Sequence, residues 1–340
     1  MAAAYQTGVA SSPVNLLQTL VSFLSTQGWT TDQSASSGSG WRAHLHKNGL
    51  YVNLRAAMNE NIWPALSGGN QESNLGYGIG LYLGDGYSGA AAWSAQSGRP
   101  TRTSDASTQG SGMNLYAGAV AAYHFFDNGA DHITVVIEKS PGLFVHLGWG
   151  PTMVKTGFSA DFPYFFASSS IYRNLVNPQG FGNAGMDLTA DCPIAHSVTE
   201  FVAGPTACLA NAFIRVDAAT FSGRWISNVA SDTNGNYYTG RHMRCALNRQ
   251  GSTSSLHIGE YPNYRFLSGR IHQVAYTGAL LLPLHSFCKM DPSTRWAPVG
   301  YPPSVFWTEA VGHGFAAGEV YQVGGLDYML FPDFAVFKGA

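Results

Sequence analysis

Charged residues are scarce in this sequence. Lysine, arginine, aspartate and glutamate make up 11% of its 340 residues, and the formal net charge is −2. An average soluble domain carries about 25%. A protein that binds nucleic acid directly shows an excess of lysine and arginine, so this composition argues against that function. Charged residues are also depleted at the centres of protein–protein interfaces, so a weakly charged chain suits a subunit of an assembly.

Long apolar runs are missing as well. The longest, "GALLLPL" at residues 278–284, is far shorter than the ~20 apolar residues that a membrane-spanning helix needs. The start, "MAAAYQTGVASSP", has neither the basic region nor the apolar region of a signal peptide. We therefore expect no membrane span and synthesis in the cytoplasm.

Cysteine is rare, and its spacing fits no metal site. The four cysteines are Cys192, Cys208, Cys245 and Cys288, without a C-x-x-C pair. Two disulfides are possible, but so few cysteines in so long a chain do not form a disulfide scaffold. We expect four free thiols in protein made in the cytoplasm.

The usual catalytic and phosphate-binding motifs are also missing. "GYSGA" at 86–90 fails the G-x-S-x-G pattern at its last position, so the sequence does not support a serine triad. "GDGYSG" at 84–89 formally matches G-x-G-x-x-G, but no helix follows to present its N-terminus to a phosphate, and we interpret it as a turn that ends a strand. "DTNGN" at 232–236 lacks the residue order of a calcium loop and also reads as a turn.

Histidines offer a possible metal site. His44 and His46 lie two apart on a predicted strand, so their side chains point to the same face. Zinc would need a third ligand, which His124, His132 or His146 could supply from a neighbouring sheet. Because His-x-His on a strand is more often an ordinary half-exposed face, we predict no metal and no cofactor.

Paired carboxylates would indicate glycoside hydrolysis. The candidate glutamates, Glu60, Glu138, Glu200 and Glu260, are scattered singly, and nothing fixes two of them at a useful separation. Aromatic residues reach 13%, which would suit stacking on sugars. A glycan-binding or glycan-hydrolysing β protein therefore stays an alternative.

The patterns predict an α+β fold that is mainly β, with antiparallel sheets and an N-terminal amphipathic helix. The helix covers residues 13–27, with Ser12 as N-cap, and we expect its apolar face to pack on the sheet that holds a three-strand meander within residues 118–150. Asn48-Gly49 predicts a type I′ hairpin turn. Two β-rich halves are expected, at 1–175 and 176–340.

Two finer expectations follow from the pattern. Residues 86–112 are polar and rich in glycine and serine, and we predict a loosely held surface excursion that orders against a neighbouring chain. In "LFVHLGWG", alternation places His146 on the face opposite the apolar set Leu143, Val145, Leu147 and Trp149. We interpret His146 as a structural residue that is hydrogen-bonded or partly solvated.

The stretches 133–150 and 153–168 resemble a module of tailed-bacteriophage virion proteins. In that family a V-V-E strand precedes a turn, then F-x-H-L-x-x-G, then a loop with G-x-x-x-G/D-x-x-Y. The matching positions here are Val136, Glu138, Phe144, His146, Leu147, Gly148, Gly150, Gly157 and Tyr164. Gly28-Trp29 after the helix and the ending "GLDYMLFPDFAVF" are similar to the same group. The resemblance covers the first 170 residues and roughly the last 20.

The resemblance implies a non-enzymatic structural component of a contractile-tailed phage, in the tail or baseplate of the virion. Its partners would be other virion structural proteins, such as tube, sheath or baseplate subunits, and further copies of itself in a symmetric ring. A capsid-associated location is an alternative. The motifs are packing motifs, so the resemblance carries no catalytic, cofactor or metal residues.

Overall fold

The structure, a computed structural model, describes the N-terminal part of the chain almost continuously and the rest in short pieces. The described residues are 2–60, 76–101, 108, 110–155, 163–170, 212–215, 225–227, 243–245, 281–283, 286–289, 296–308, 310–311, 314–332 and 334–339. They form a mainly β protein with one α-helix, and all strand pairs among them are antiparallel. The predicted fold class is confirmed.

The first part of the chain contains the helix and six strands. They are β1 (Ala4–Ala10), α1 (Pro13–Thr26), β2 (Thr30–Ser37), β3 (Gly40–Lys47), β4 (Leu50–Glu60), β5 (Gly76–Gly84), a 3₁₀ turn (Trp93–Ala95) and β6 (Ser111–Asn114). The next strands are β7 (Val120–Asp127), β8 (Ile133–Ser140), β9 (Leu143–Gly150), β10 (Val154–Lys155), β11 (Tyr164–Ala167), β12 (Ser169–Ser170), β13 (Ala212–Arg215) and β14 (Trp225–Ser227).

The last part of the chain adds eight strands. They are β15 (Met243–Cys245), β16 (Leu282–Pro283), β17 (Ser286–Lys289), β18 (Trp296–Tyr301), β19 (Val305–Trp307), β20 (Val320–Val323), β21 (Leu326–Phe331) and β22 (Phe334–Gly339).

The described strands form four sheets, three of which matter here. The hairpin sheet has the order β12-β6-β5-β4-β3-β2, and the meander sheet has the order β1-β7-β8-β9-β11-β13-β14. The C-terminal sheet has the order β16-β19-β22-β21-β20, and a smaller sheet has the order β10-β18-β17-β15. The predicted meander β7-β8-β9 is thus confirmed.

Local signals set the predicted helix and hairpin. The Ser12 hydroxyl accepts the Asn15 N–H at 3.1 Å, Pro13 opens α1, and Gly28 follows it with a positive φ of 81°. Positive φ values of 49° at Asn48 and 81° at Gly49 give the turn between β3 and β4 its primed geometry. Both predictions are confirmed.

The helix packs on the predicted sheet and also on a second one. Its buried residues are Pro13, Leu16, Leu17, Leu20, Val21, Phe23 and Leu24. They join one core with inward-facing side chains of both the hairpin and the meander sheets, and the strand that α1 contacts most is β4 of the hairpin sheet. On the meander side, Phe23 meets Phe125 of β7 at a ring-centroid distance of 5.7 Å. The predicted packing on the meander sheet is confirmed, and the structure adds the hairpin sheet as a second partner of α1.

The segment after β5 is built into the fold. Trp93 is 2% exposed and meets the Tyr82 ring edge-on, while the Tyr82 hydroxyl donates to the Trp93 carbonyl. Gln96 is fully buried, and its side-chain amide accepts the Ser88 N–H at 2.7 Å and donates to three backbone carbonyls. For the described residues 86–101, the predicted loosely held excursion was therefore wrong.

Strands from the second half of the chain pair with strands from the first half. β13 pairs with β11, and β10 pairs with β18. The Trp225 indole N–H also donates to the Gly98 carbonyl at 2.7 Å. The boundary expected at residue 175 lies outside the described residues and stays a prediction, but the described parts on either side of it share sheets.

Candidate functional site: a histidine-bearing seam

The meander sheet has a second face, turned away from the helix, and histidines lie on it. The strand register aligns His124 of β7 with Val136 of β8, and Val136 with His146 of β9. Side chains directly paired across antiparallel strands share a face. His124 and His146 therefore lie in one row, separated by the strand that carries Val136.

The C-terminal sheet covers this second face through aromatic contacts. Phe331 of β21 meets the rings of His124, Phe126 and Phe144 edge-on, at centroid distances of 5.5, 6.3 and 5.5 Å. Phe334 of β22 meets the His146 ring at 5.2 Å. We call this contact the seam; it is formed by Tyr5, His124, Phe126, Phe144, His146 and Phe166 on one side and by Met329, Phe331, Phe334 and Lys338 on the other.

His146 is the least expected residue of the seam. Its exposed fraction is 0%, and within the described structure neither ring nitrogen has a hydrogen-bond partner. Burial lowers the pKa of His146 to about 3, so the ring is neutral at neutral pH. The expected position opposite the apolar set is confirmed, but the expectation of a hydrogen bond or solvent contact was wrong. Phe334, nearly 190 positions later in the chain, covers the face of β9 that carries His146. The alternation within β9 does not indicate this contact.

The other two histidines of this face have tyrosine partners. The Tyr5 hydroxyl lies 2.9 Å from Nδ1 of His124, and the Tyr164 hydroxyl lies 2.9 Å from Nδ1 of His132. Burial lowers the pKa of His124, although Glu138 opposes the shift. Burial also lowers the pKa of His132, to about 4, against the opposing charge of Asp131. The whole face thus carries neutral imidazoles.

The residues behind the sequence resemblance pack at this face. A methyl group at Gly148 would lie 2.5 Å from Cζ of Phe166 and 2.7 Å from the Ile133 carbonyl oxygen. A methyl group at Gly150 would collide with the ring of His132 and approach Tyr164. Both glycines are therefore required by close approach on the side that carries the seam.

His44 and His46 occupy the outer face of the other sheet. Nδ1 of His44 donates to Oδ1 of Asn53 at 2.6 Å, and Nδ1 of His46 lies 2.9 Å from both oxygens of Asp32. Burial lowers the pKa of His44. His44 is 1% exposed, whereas a third of the His46 side chain is exposed and its ring stacks on Tyr51.

The structure separates the possible metal ligands. His44 and His46 share one face, as predicted, but His124, His132 and His146 lie on the far side of the meander sheet. In the part of the chain that the structure describes, no three histidine, cysteine, aspartate or glutamate residues come together as a metal site would require. The absence of a bound metal stays a prediction.

The candidate glutamates have local roles where they are described. Glu60 lies 3.0 Å from the buried guanidinium of Arg55 at the end of β4. Glu138, on β8 of the other sheet, accepts the Gly142 N–H of the next turn at 2.8 Å. Glu200 and Glu260 lie outside the described residues, so the paired-carboxylate alternative is open for them.

The remaining sequence candidates fall on turns or outside the described residues. β5 ends at Gly84, and the residues up to 92 form turns and bends without a helix, as predicted for "GDGYSG". Residues 232–236, Cys192 and Cys208 lie outside the described residues. Cys245 and Cys288 lie on paired strands β15 and β17, whose backbones alone are described, so the predicted free thiols are untested.

A hairpin at the edge of the C-terminal sheet exposes apolar side chains. β20 and β21 are joined by Gly324-Gly325, and the exposed fractions of Val320, Val323 and Leu326 are 39%, 43% and 39%. No described strand pairs with the outer edge of β20. Edge strands are usually protected by lysine, proline or a bulge, and the sequence "VYQV" of β20 has neither lysine nor proline.

Comparisons with known proteins do not assign the chain to a family. A scan against protein-family models gives no match, and a search of curated proteins gives none either. Among the described residues, no helix has the length and apolar character needed to span a membrane.

Proposed function

We propose that this chain is a non-enzymatic structural component of a bacteriophage virion, in the tail or baseplate, that acts through contacts between subunits. The observation that carries the proposal is the edge hairpin β20–β21. It combines an unpaired described edge with three exposed apolar side chains, Val320, Val323 and Leu326. An exposed edge of this kind is a template for pairing with another chain.

The contact that we propose is with a second copy of the chain and closes a two-fold pair; a symmetric ring of such pairs would need a further contact elsewhere on the chain. When β20 pairs antiparallel with β20 of another copy about a two-fold axis at Gln322, Tyr321 of one copy lies opposite Val323 of the other, because directly opposite residues share a face. The strand contains no charge, so the pairing opposes no like charges. Such a contact is self-complementary, as two-fold interfaces must be.

Composition and the sequence resemblance support the same proposal. Only 11% of the residues are charged, which suits a protein whose surface becomes interface. The residues that carry the resemblance, among them Phe144, His146, Gly148 and Tyr164, are packing residues of the meander sheet. They fit a structural role, with function spread over large faces rather than concentrated at one site.

The test is the position of the chain in purified virions. Quantitative mass spectrometry of the particles should find it in many copies, and antibody labelling should place it at the tail or baseplate. Label on the head would move the protein to the capsid-associated alternative. Absence from complete, infectious particles would contradict the proposal, and specific glycan binding by the purified chain would then favour the glycan-binding alternative.

A further inference from the structure

The seam joins the C-terminal strands to the meander sheet around a histidine whose burial disfavours the charged, doubly protonated ring. His146 is fully buried between the rings of Phe166 and Phe334, and neither of its nitrogens has a partner within the described structure. Protonation would add both a charge and a second N–H donor to this site. A buried charge without a partner is strongly unfavourable, so the closed seam requires a neutral ring.

We propose that the seam is an acid-sensitive joint: protonation of His146, together with His124, releases β21 and β22 from the meander sheet while the hairpin sheet stays folded. The inference stands on the geometry of the seam and does not depend on the proposed virion role. Released strands would expose Phe331 and Phe334 and the aromatic face beneath them.

Among the described charged and titratable groups around the seam, Glu138 partly offsets this effect at His124, and none offsets it at His146. On the meander side, Glu138 of β8 influences His124, and no described charge shifts the pKa of His146. The remaining groups there are Tyr5 of β1, Tyr164 of β11, and His132 with its neighbour Asp131.

On the C-terminal side, the charged groups are Lys338 of β22 and Asp327 of β21. The Lys338 ammonium lies 5.0 Å from the centre of the Tyr5 ring, and that ring stacks on His124. Asp327 accepts a hydrogen bond from Gln322 at the tip of the hairpin.

The pH range follows from the two states of the imidazole. A freely solvated histidine has a pKa of about 6.5, and burial in the closed seam lowers the pKa of His146 to about 3. Between these values the open seam binds more protons than the closed one, so closure weakens as the pH falls. Above about pH 6.5 both states are neutral, and closure has its full stability.

Hydrogen–deuterium exchange of the full chain tests the joint. After correction for intrinsic exchange rates, we expect amides of residues 326–339 to lose protection between pH 7 and pH 4.5. The loss is on the order of 100-fold for a single histidine with these two pKa values. Amides of α1, which packs on the hairpin sheet and carries no histidine, should change less than about threefold over the same range. Equal loss in both regions would mean global acid unfolding and would overturn the proposal.

Substitutions assign the effect to the seam. His146→Leu should reduce the pH dependence of residues 326–339 by at least about tenfold, because leucine takes up no proton. His44→Leu is the matched control, since His44 is also buried with a lowered pKa but lies on the hairpin sheet. If His146→Leu retains the full pH dependence, His146 is not the switch. The comparison of the two regions in the unsubstituted chain decides the proposal even where a variant does not fold.

Discussion

The imidazole of His146 is packed among apolar side chains, in a site that would suit an apolar residue. His146 forgoes two hydrogen bonds that it would make in water, whereas His132, also buried, is bonded to the Tyr164 hydroxyl. An unpartnered buried polar group costs about 1–3 kcal/mol. Replacing the two histidines should therefore change stability in different ways, although both side chains are buried.

We expect His146→Leu to raise the free energy of unfolding at pH 7.5, by up to about 2 kcal/mol, because the substitution removes the unpartnered nitrogens. His132→Leu should lower it by about 1–3 kcal/mol, because it leaves the Tyr164 hydroxyl without its partner. Urea denaturation of the two variants and the unsubstituted chain measures both values. Destabilisation of similar size in both variants would show that His146 has a partner or that its shape is essential.

Single-residue patterns were enough to place His146 on the correct face but not to describe its surroundings. Alternation in "LFVHLGWG" separates the inward set from the outward set, because side chains of a strand alternate. Whether the outward face meets water or another sheet depends on Phe331 and Phe334, which are distant in sequence. Gly148 carried a signal of close packing, but glycine in a strand is equally consistent with a bend.

At the scale of elements, local sequence signals were sufficient to predict where α1 begins and ends. They were not sufficient to identify both sheets on which the helix packs. Ser12, Pro13 and Gly28 fix where the helix begins and ends. The apolar stripe is wide enough to meet two sheets, so the stripe alone could not choose between them. Its burial is nevertheless complete at Leu16, Leu17 and Leu20.

Truncation of the helix stripe tests this packing. Leu20→Ala should lower the free energy of unfolding by about 2–5 kcal/mol, because it leaves a cavity at a fully buried position. The control is Gln18→Ala on the exposed face of the same helix, which should change stability by less than about 0.5 kcal/mol. A melting temperature equal to that of the unsubstituted chain in Leu20→Ala would contradict the packing described for α1.

The segment after β5 was misjudged because its composition resembles that of a mobile loop. Glycine and serine dominate, but Trp93 and Gln96 supply the anchor and the hydrogen bonds that hold residues 86–101. A buried glutamine that satisfies backbone groups of its own loop has no sequence signature, since glutamine is usually exposed. Arg99 adds a further link, donating to the Thr108 hydroxyl at 2.8 Å.

Gln96→Ala should therefore destabilise the segment. We expect the free energy of unfolding to fall by about 1–3 kcal/mol, since the Ser88 N–H and three carbonyls lose their buried partner. Limited proteolysis should cut within residues 86–101 faster in the variant than in the unsubstituted chain. The exposed neighbour Ala95 lacks such contacts through its side chain, and Ala95→Ser is the control. Unchanged proteolysis in Gln96→Ala would restore the interpretation of a loosely held loop.

For the whole molecule, the sequence predicted the class of fold better than the arrangement of its layers. Short alternating runs and turn residues identified a mainly antiparallel β protein with one N-terminal helix. The layering depends on β21 and β22 packing on β7 and β9, and such contacts between distant strands leave no periodic signal. The seam and the edge hairpin, the two features on which the proposals rest, both come from this unpredicted layer.

The last prediction concerns assembly through the edge hairpin. Val323 and Leu326 pair with each other at its tip, so lysine at both positions adds two positive charges beside the edge of β20. Desolvating them in a contact between copies would be unfavourable, and lysine is a usual means of blocking edge pairing. We expect Val323→Lys/Leu326→Lys to fold with a nearly unchanged melting temperature, since both positions are over a third exposed. Self-association in light scattering, or incorporation into particles, should fall at least tenfold.

Val9→Lys is the matched control, because Val9 is an exposed valine outside the hairpin, on β1. It adds the same kind of charge and should leave assembly unchanged. Loss of assembly in Val9→Lys alone would place the contact at β1 instead. Normal assembly of the hairpin variant would show that the exposed side chains of β20–β21 are passive surface. The structural role would then need another interface, because the hairpin is the observation on which the proposal rests.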